Sequence, residues 1–189
     1  MIRIVGGKHR GRTLATPEGS ATRPTASRAR EALFNVLVHA KWAEDGTSPL
    51  VEARVLDGYA GSGALGLEAL SRGAAHATFL DSDPAAIRSI GENLRKLGET
   101  ATAKVVRADV TRPPPAREPC DLVFLDPPYR SGQGAAAISA LAEAGWLAAD
   151  AIVTVELAHN EDIAAPPGFA VIDQRRYGAA KIVILKRTP

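Results

Sequence analysis

Apolar residues recur along this chain in two periods, and the period alternates from segment to segment. Between Ser27 and Ala40, Ala29, Ala32, Leu33, Val36, Leu37 and Ala40 fall at spacings of three and four, which predicts a helix with one buried stripe and with Arg28 and Glu31 on other faces. Short apolar runs follow at Arg54–Asp57, His76–Leu80, Ala101–Arg107, Asp121–Leu125 and Ile152–Glu156, and each reads as a buried strand. Helical patterns lie between them. One spans Ala64–Arg72 and is closed by Gly73; another starts at the cap Asp83 and Pro84, carries Ile87, Ile90, Leu94 and Leu97, and ends at Gly98; a third covers about Gly134–Ala144. The segment Arg112–Pro119 is too rich in proline for either period. Ala170–Asp173 and Lys181–Leu185 read as two last strands joined by a turn at Tyr177-Gly178. Strand and helix in alternation predict an α/β fold whose mainly parallel sheet is covered on both faces.

The first residues do not share this rhythm. Residues 2–5 and 12–15 predict two short strands around the turn Gly6-Gly7-Lys8-His9-Arg10-Gly11, and Pro17 to Pro24 then interrupts regular structure. Charge sets the same region apart. Residues 1–41 hold eight lysines and arginines against Glu18 and Glu31, so a segment of +6 precedes 148 residues summing to −4, inside a whole chain of +2. A cationic arm on a mildly acidic body suits a polyanion partner, because phosphate neutralisation supplies much of such affinity. The candidate contacts are Lys8, Arg10, Arg12, Arg23, Arg28 and Arg30. A chain of 189 residues suits one domain over 1–189, with residues 1–41 as a basic extension packed on a core of residues 50–189. Neither a membrane span nor a secretory leader is legible, so the cytoplasm is expected, and a monomer is expected because no extended apolar surface can be inferred. Cys120 is the single cysteine; it sits at the start of a strand and reads as a small buried residue, which leaves no thiolate metal cluster.

Chemistry is expected at the ends of the strands. Asp57-Gly58-Tyr59-Ala60-Gly61-Ser62-Gly63 joins the first core strand to the first core helix, and its glycines let backbone approach a ligand closely. It lacks both the full Gly-x-Gly-x-x-Gly of dinucleotide proteins and the Gly-Lys-Ser/Thr of triphosphate loops. Three further positions complete a cofactor site: Asp81 with Ser82 after the second strand, placed for two ribose hydroxyls, and Asp109 after the third, placed for an adenine amino group. Asp57 itself can order the loop and approach a cationic methionine end. S-adenosylmethionine meets these demands.

The second constellation is Asp126-Pro127-Pro128-Tyr129, directly after Leu122-Val123-Phe124-Leu125. Methylating an aromatic amine requires its hydrogens to be held while the nitrogen meets an activated methyl group. The Asp126 carboxylate and the Pro127 carbonyl can accept those hydrogens, Pro128 keeps the chain extended, and Tyr129 can stack on the base. The sulfonium is already activated, so no metal is required. A base within a duplex would have to be extruded to reach such a pocket.

These residues carry a resemblance over nearly the whole chain. Arg3-Ile4-Val5-Gly6-Gly7 with Arg10-Gly11-Arg12, Thr22-Arg23-Pro24-Thr25 with Arg28-x-Arg30-Glu31-Ala32-Leu33-Phe34-Asn35, the run Ala60 to Ala74, and Asp126-Pro127-Pro128-Tyr129 are similar to the bacterial methyltransferases that modify the N2 amino group of a guanine in 16S ribosomal RNA. The resemblance implies a class I S-adenosylmethionine-dependent methyltransferase fold, Rossmann-like, with a seven-stranded sheet, a reversed last strand and an added N-terminal hairpin and helix. It also implies 16S RNA in the small subunit, or its assembly intermediate, as partner. Gly58-Tyr59 stands where a bulky apolar residue and phenylalanine are more usual, and Asp81 replaces a more usual glutamate. Two other readings compete: an amino-methyltransferase acting on DNA, which would normally need more chain for sequence readout, and a non-catalytic RNA-binding ribosome-assembly factor. An asparagine at position 126 would have favoured a protein-glutamine methyltransferase.

Overall fold

The computed structural model describes residues 1–17, 24–40, 47–128 and 130–188, with the side chains of residues 24–27 outside the description. Strands β1 (Ile2–Arg3) and β2 (Thr13–Leu14) form a hairpin, and helix α1 (Pro24–Val38) follows. The body then runs β3 (Arg54–Gly58), α2 (Ala64–Ser71), β4 (His76–Asp81), α3 (Pro84–Leu97), β5 (Ala103–Arg107), β6 (Cys120–Leu125), α4 (Gln133–Glu143), β7 (Leu147–Ala158), β8 (Phe169–Tyr177) and β9 (Ala180–Arg187). The seven body strands make one sheet in the order β5-β4-β3-β6-β7-β9-β8. Strands β3 to β7 pair in parallel, and β9 runs antiparallel to both β7 and β8. That order, with its reversed last strand, is the class I S-adenosylmethionine-dependent methyltransferase fold.

Alternation along each strand builds two cores. Val55, Phe79, Leu122, Phe124 and Ile152 point to the face covered by α1, α2 and α3. Their neighbours Leu56, Leu80, Val123, Leu125 and Val153 point to the face covered by α4. Both faces being apolar explains the unbroken hydrophobic runs of the central strands. Asp83 caps α3 by accepting from the Ala85 N–H at 2.8 Å, and Gly98 closes that helix in the left-handed region. Cys120 is buried in β6, where burial pushes its thiol up to about 12.

Helix α1 departs from the expected stripe. Phe34 is completely buried, its ring 5.5 Å from that of Phe124, whereas Ala32 and Val36 are only half-buried. The buried face is therefore rotated toward Arg30, Leu33, Phe34 and Leu37. The large ring fills the space above β6 that an alanine stripe would leave empty. The last strands also exceed their expected spans. In β8, most side chains are half-buried or exposed, and pairing with β9 holds the strand without an apolar signal. The first part of β7 precedes a register shift opposite Cys120 and Leu122, which breaks the simple alternation.

The hairpin is fastened to α2 and α3. Its tip, Gly7–His9, is a turn of 3-10 helix, and the Ser71 hydroxyl both donates to the Gly6 carbonyl and accepts from the His9 N–H. Glu99 receives Lys8 at 2.7 Å, His9 at 2.6 Å and the Thr102 hydroxyl at 2.6 Å. Burial pushes the Glu99 carboxyl up, but hydrogen bonds from Lys8, Thr102 and His9, with the Lys8 charge, overcome it and hold it at about 2. Its ordinary value is 4.5, so the folded form binds this proton less readily than the unfolded form. Stability from Glu99 is thus present above pH 4.5 and is lost as pH falls through that value toward 2. Urea titrations across that window are expected to show a steeper loss for the wild type than for Glu99→Gln; equal slopes would refute the assignment.

Candidate active site

Parallel strands place their C-terminal ends along one edge of the sheet, and the central three of them carry a carboxylate there. Asp57 lies in β3, Asp81 ends β4 and Asp126 follows β6. Asp57 is buried to 1 % exposure; its Oδ2 accepts from the Gly66 N–H at 2.8 Å, while its Oδ1 is buried without a hydrogen-bond partner among the described residues. Burial pushes the Asp57 carboxyl well above the ordinary range; the Gly66 N–H pulls it back, and Asp126 and then Asp81 push it up again. A buried carboxylate with one orphan oxygen, its ionisation opposed by two acids on the neighbouring strands, fits a cationic group.

The loop between them is shaped to admit one. Gly61 and Gly63 have φ of 55° and 77°, and a Cβ on Gly63 would come within 3.1 Å of the Phe79 ring. The Gly63 N–H closes a turn on the Ala60 carbonyl at 2.7 Å, and Ala60 and Ser62 are buried. Asp81 Oδ2 accepts from the Gly61 N–H at 2.8 Å, and its Oδ1 accepts from the Asp83 N–H at 2.9 Å. Ser82 is exposed next to it, its carbonyl accepting from Arg107. Asp109 is exposed and folds back on Thr111, whose hydroxyl and N–H hold its carboxyl below the ordinary value. Tyr59 is half-buried, has φ of 59° and donates to Gln133 Oε1 at 3.2 Å; burial and then Asp109 push its phenol up to about 12. The uncommon Gly58 has a local cause: a Cβ there would meet Leu125 at 2.8 Å and Val110 at 3.2 Å.

On the acceptor side, Asp126 and Pro128 are exposed and Pro127 is buried. Tyr129 lies outside the described residues. The Pro128 carbonyl accepts from the Ser131 N–H at 3.2 Å, and Glu161 receives the N–H groups of Arg130 at 2.9 Å and Ala158 at 3.3 Å. The loop is thereby pinned on its far side to the end of β7.

The basic candidates divide. Arg10, Arg12, Arg28 and Lys8 are exposed, although Lys8 pairs with Glu99 and Arg12 donates to the Lys96 carbonyl at 3.1 Å. Arg23 lies outside the described residues. Arg30 corrects the expectation of an outward contact: it is 6 % exposed and donates to the Arg3 carbonyl at 2.8 Å, on the rotated buried face of α1. Its spacing from Leu33 and Leu37 was the available signal. Tyr177 packs half-buried against the α1-side core. Three residues went unnoticed in the pattern. Glu68 interrupts the apolar run of α2, Asn93 stands on the apolar stripe of α3, and Glu161 lies in a loop with no pattern at all.

Comparison with known proteins places the whole arrangement in context. The family described as Conserved hypothetical protein 95 matches residues 2–186. Ribosomal RNA small subunit methyltransferase D of Escherichia coli strain K12 is 42% identical over 156 residues, covering 82% of this chain and 74% of that protein. The solved structure of the yhhF protein of Escherichia coli superposes with a TM-score of 0.79 at 36% identity, covering 99% of this chain and 98% of the other. A methylase structure from Haemophilus influenzae gives the same TM-score of 0.79 at 30% identity, over 100% and 99% of the two chains.

Proposed function

Because the chain belongs to the family described as Conserved hypothetical protein 95 and has the class I S-adenosylmethionine-dependent methyltransferase fold, we propose that it methylates the exocyclic N2 of a specific guanine in 16S ribosomal RNA of the small subunit. The observation that carries this reading is the convergence of Asp57, Asp81 and Asp126 on one strand edge, with a buried carboxylate oxygen left open beside a glycine loop. S-adenosylmethionine would be held by Asp57, Tyr59 to Gly63, Asp81, Ser82 and Asp109. When bound it supplies an activated methyl group and the positive charge the three acids lack.

The chain's own residues then have distinct tasks. Asp126 accepts a hydrogen of the guanine amino group and orients the nitrogen lone pair; the Pro127 carbonyl accepts the other hydrogen. Burial of Pro127 and the hold of Glu161 on the Arg130 N–H keep the Asp126-Pro127-Pro128 backbone from relaxing away from the base. Tyr129 stacks on that base. Lys8, Arg10, Arg12, Arg23 and Arg28 contact phosphates and set the register of the RNA. The name of the Escherichia coli relative supports the small ribosomal subunit as acceptor. On this reading the chain acts in the cytoplasm as a monomer.

The test is transfer of labelled methyl groups from S-adenosylmethionine to small subunits lacking the modification, to naked 16S RNA and to duplex DNA, followed by nucleoside analysis. N2-methylguanosine formed on the subunit is the expected product. A methylated base in DNA instead would make the DNA reading correct. Cofactor binding without transfer to any acceptor would point to a non-catalytic assembly role.

A further inference from the structure

Asn93 occupies an apolar position of α3, between Ile90 and Leu97, and is completely buried. A polar side chain there is costly unless every group is satisfied, and its bonds are specific. Its Oδ1 accepts from the Ala15 N–H at 2.7 Å, and its Nδ2 donates to the Ala15 carbonyl at 2.9 Å. This two-point clamp grips the chain just where it leaves β2. The same Nδ2 donates to the Ser62 carbonyl at 2.9 Å. Ser62 lies between Gly61 and Gly63, at the centre of the candidate cofactor loop. One amide therefore joins the base of the basic hairpin to the loop.

The surroundings hold both ends of that link. The next turn of α3 also holds the hairpin, with Lys96 donating to the Thr13 carbonyl at 2.7 Å and receiving Arg12 at its own carbonyl. In the loop the Gly61 N–H is held by Asp81 and the Gly63 N–H by the Ala60 carbonyl, and between them the Ser62 carbonyl is held by Asn93. In a buried network, loss of one bond leaves its partner unpaired and weakens the rest. A shift of Ala15 is thus felt at Ser62, and the reverse.

We propose that Asn93 is a positioning residue that couples the hairpin to the cofactor loop, so that RNA on the hairpin and S-adenosylmethionine in the loop strengthen each other's binding. This rests on the function proposed above. Linkage requires the factor to be the same in both directions.

Calorimetric affinities for S-adenosylmethionine, measured with and without 16S RNA at fixed salt, test it in the wild type, Asn93→Ala and Asn93→Asp. Asn93→Asp keeps the acceptor for the Ala15 N–H but removes both donors and faces two carbonyls with a carboxylate. The wild type is expected to bind cofactor about fivefold or more tightly when RNA is present. Both variants are expected to lose that enhancement and to bind cofactor alone on the order of tenfold more weakly, or ~1.4 kcal/mol. A merely structural role would lower the melting temperature and leave the enhancement intact in the folded variants, which overturns the proposal. The wild-type measurement decides even where a variant does not fold: binding of both ligands without mutual enhancement overturns the coupling alone. A wild type that binds no S-adenosylmethionine at all would remove the functional reading itself.

Discussion

Asp126→Ala is expected to lower kcat by roughly a hundred- to a thousandfold, the range for removal of one aligned polar group from a reacting centre, while cofactor affinity changes little. Asp126 follows a strand whose last residue, Leu125, is buried in the core, so the backbone of the site stays in place when the carboxylate is removed. Its side chain is exposed, and alanine there leaves no cavity. The loss should therefore fall on the step in which the amino nitrogen is oriented, and should appear in single-turnover transfer of a labelled methyl group at saturating RNA. Asp126→Asn keeps one carbonyl acceptor in the same position and is expected to retain more activity than alanine. Removing the charge of Asp126 also removes one of the groups that push Asp57 up, so Asp57 ionises more readily and offsets, toward a cationic cofactor, the negative charge that is lost. A wild-type single-turnover rate in Asp126→Ala would show that the amine is held elsewhere.

What the sequence disclosed follows the physics of its signals. Strands β3, β4 and β6 were legible because both of their faces are buried, which leaves continuous apolar runs ending in an acid. The cap at Asp83 and the stop at Gly98 were legible because each meets a local backbone need within two residues. Asp57, Asp81 and Asp126 could be placed on one edge because parallel strands share a direction. Asn93 and Glu161 resisted for a different reason: each has a partner far along the chain, 78 and 31 residues away, that no periodicity encodes. The burial of Arg30 was marked by its spacing from Leu33 and Leu37, but its partner, 27 residues away, was not. The rotation of α1 belongs to the same class, since Phe34 is drawn inward by Phe124 across the sheet interface rather than by its own neighbours.

Glu68→Ala is expected to destabilise the chain by about 3 kcal/mol, because it leaves a part-buried guanidinium and two part-buried N–H donors without their acceptor. Glu68 is completely buried in α2. Its Oε2 accepts from the Val5 N–H at 2.7 Å, and its Oε1 accepts from the Gly6 N–H at 2.8 Å and from Arg72 Nε at 2.8 Å. Arg72 in turn lies 5.2 Å from the centre of the Phe34 ring, and Arg30 also feels the Glu68 charge. Burial lowers the Arg30 guanidinium, and Glu68 and then Glu156 raise it again. Alanine would strand two backbone donors and weaken the compensation of two arginines in one step. Because the N–H groups belong to the hairpin, its detachment from α2 should precede global unfolding. Limited proteolysis should cut first near residues 5–12, and urea titration should show the loss of stability. RNA affinity should fall with the hairpin's order. Glu68→Gln retains an acceptor oxygen and the shape, but its amide opposes a donor and its charge is gone, so an intermediate loss is expected. If Glu68→Ala unfolded at the wild-type urea midpoint and resisted cleavage in the hairpin, the carboxylate would not be what anchors the basic arm to the catalytic body.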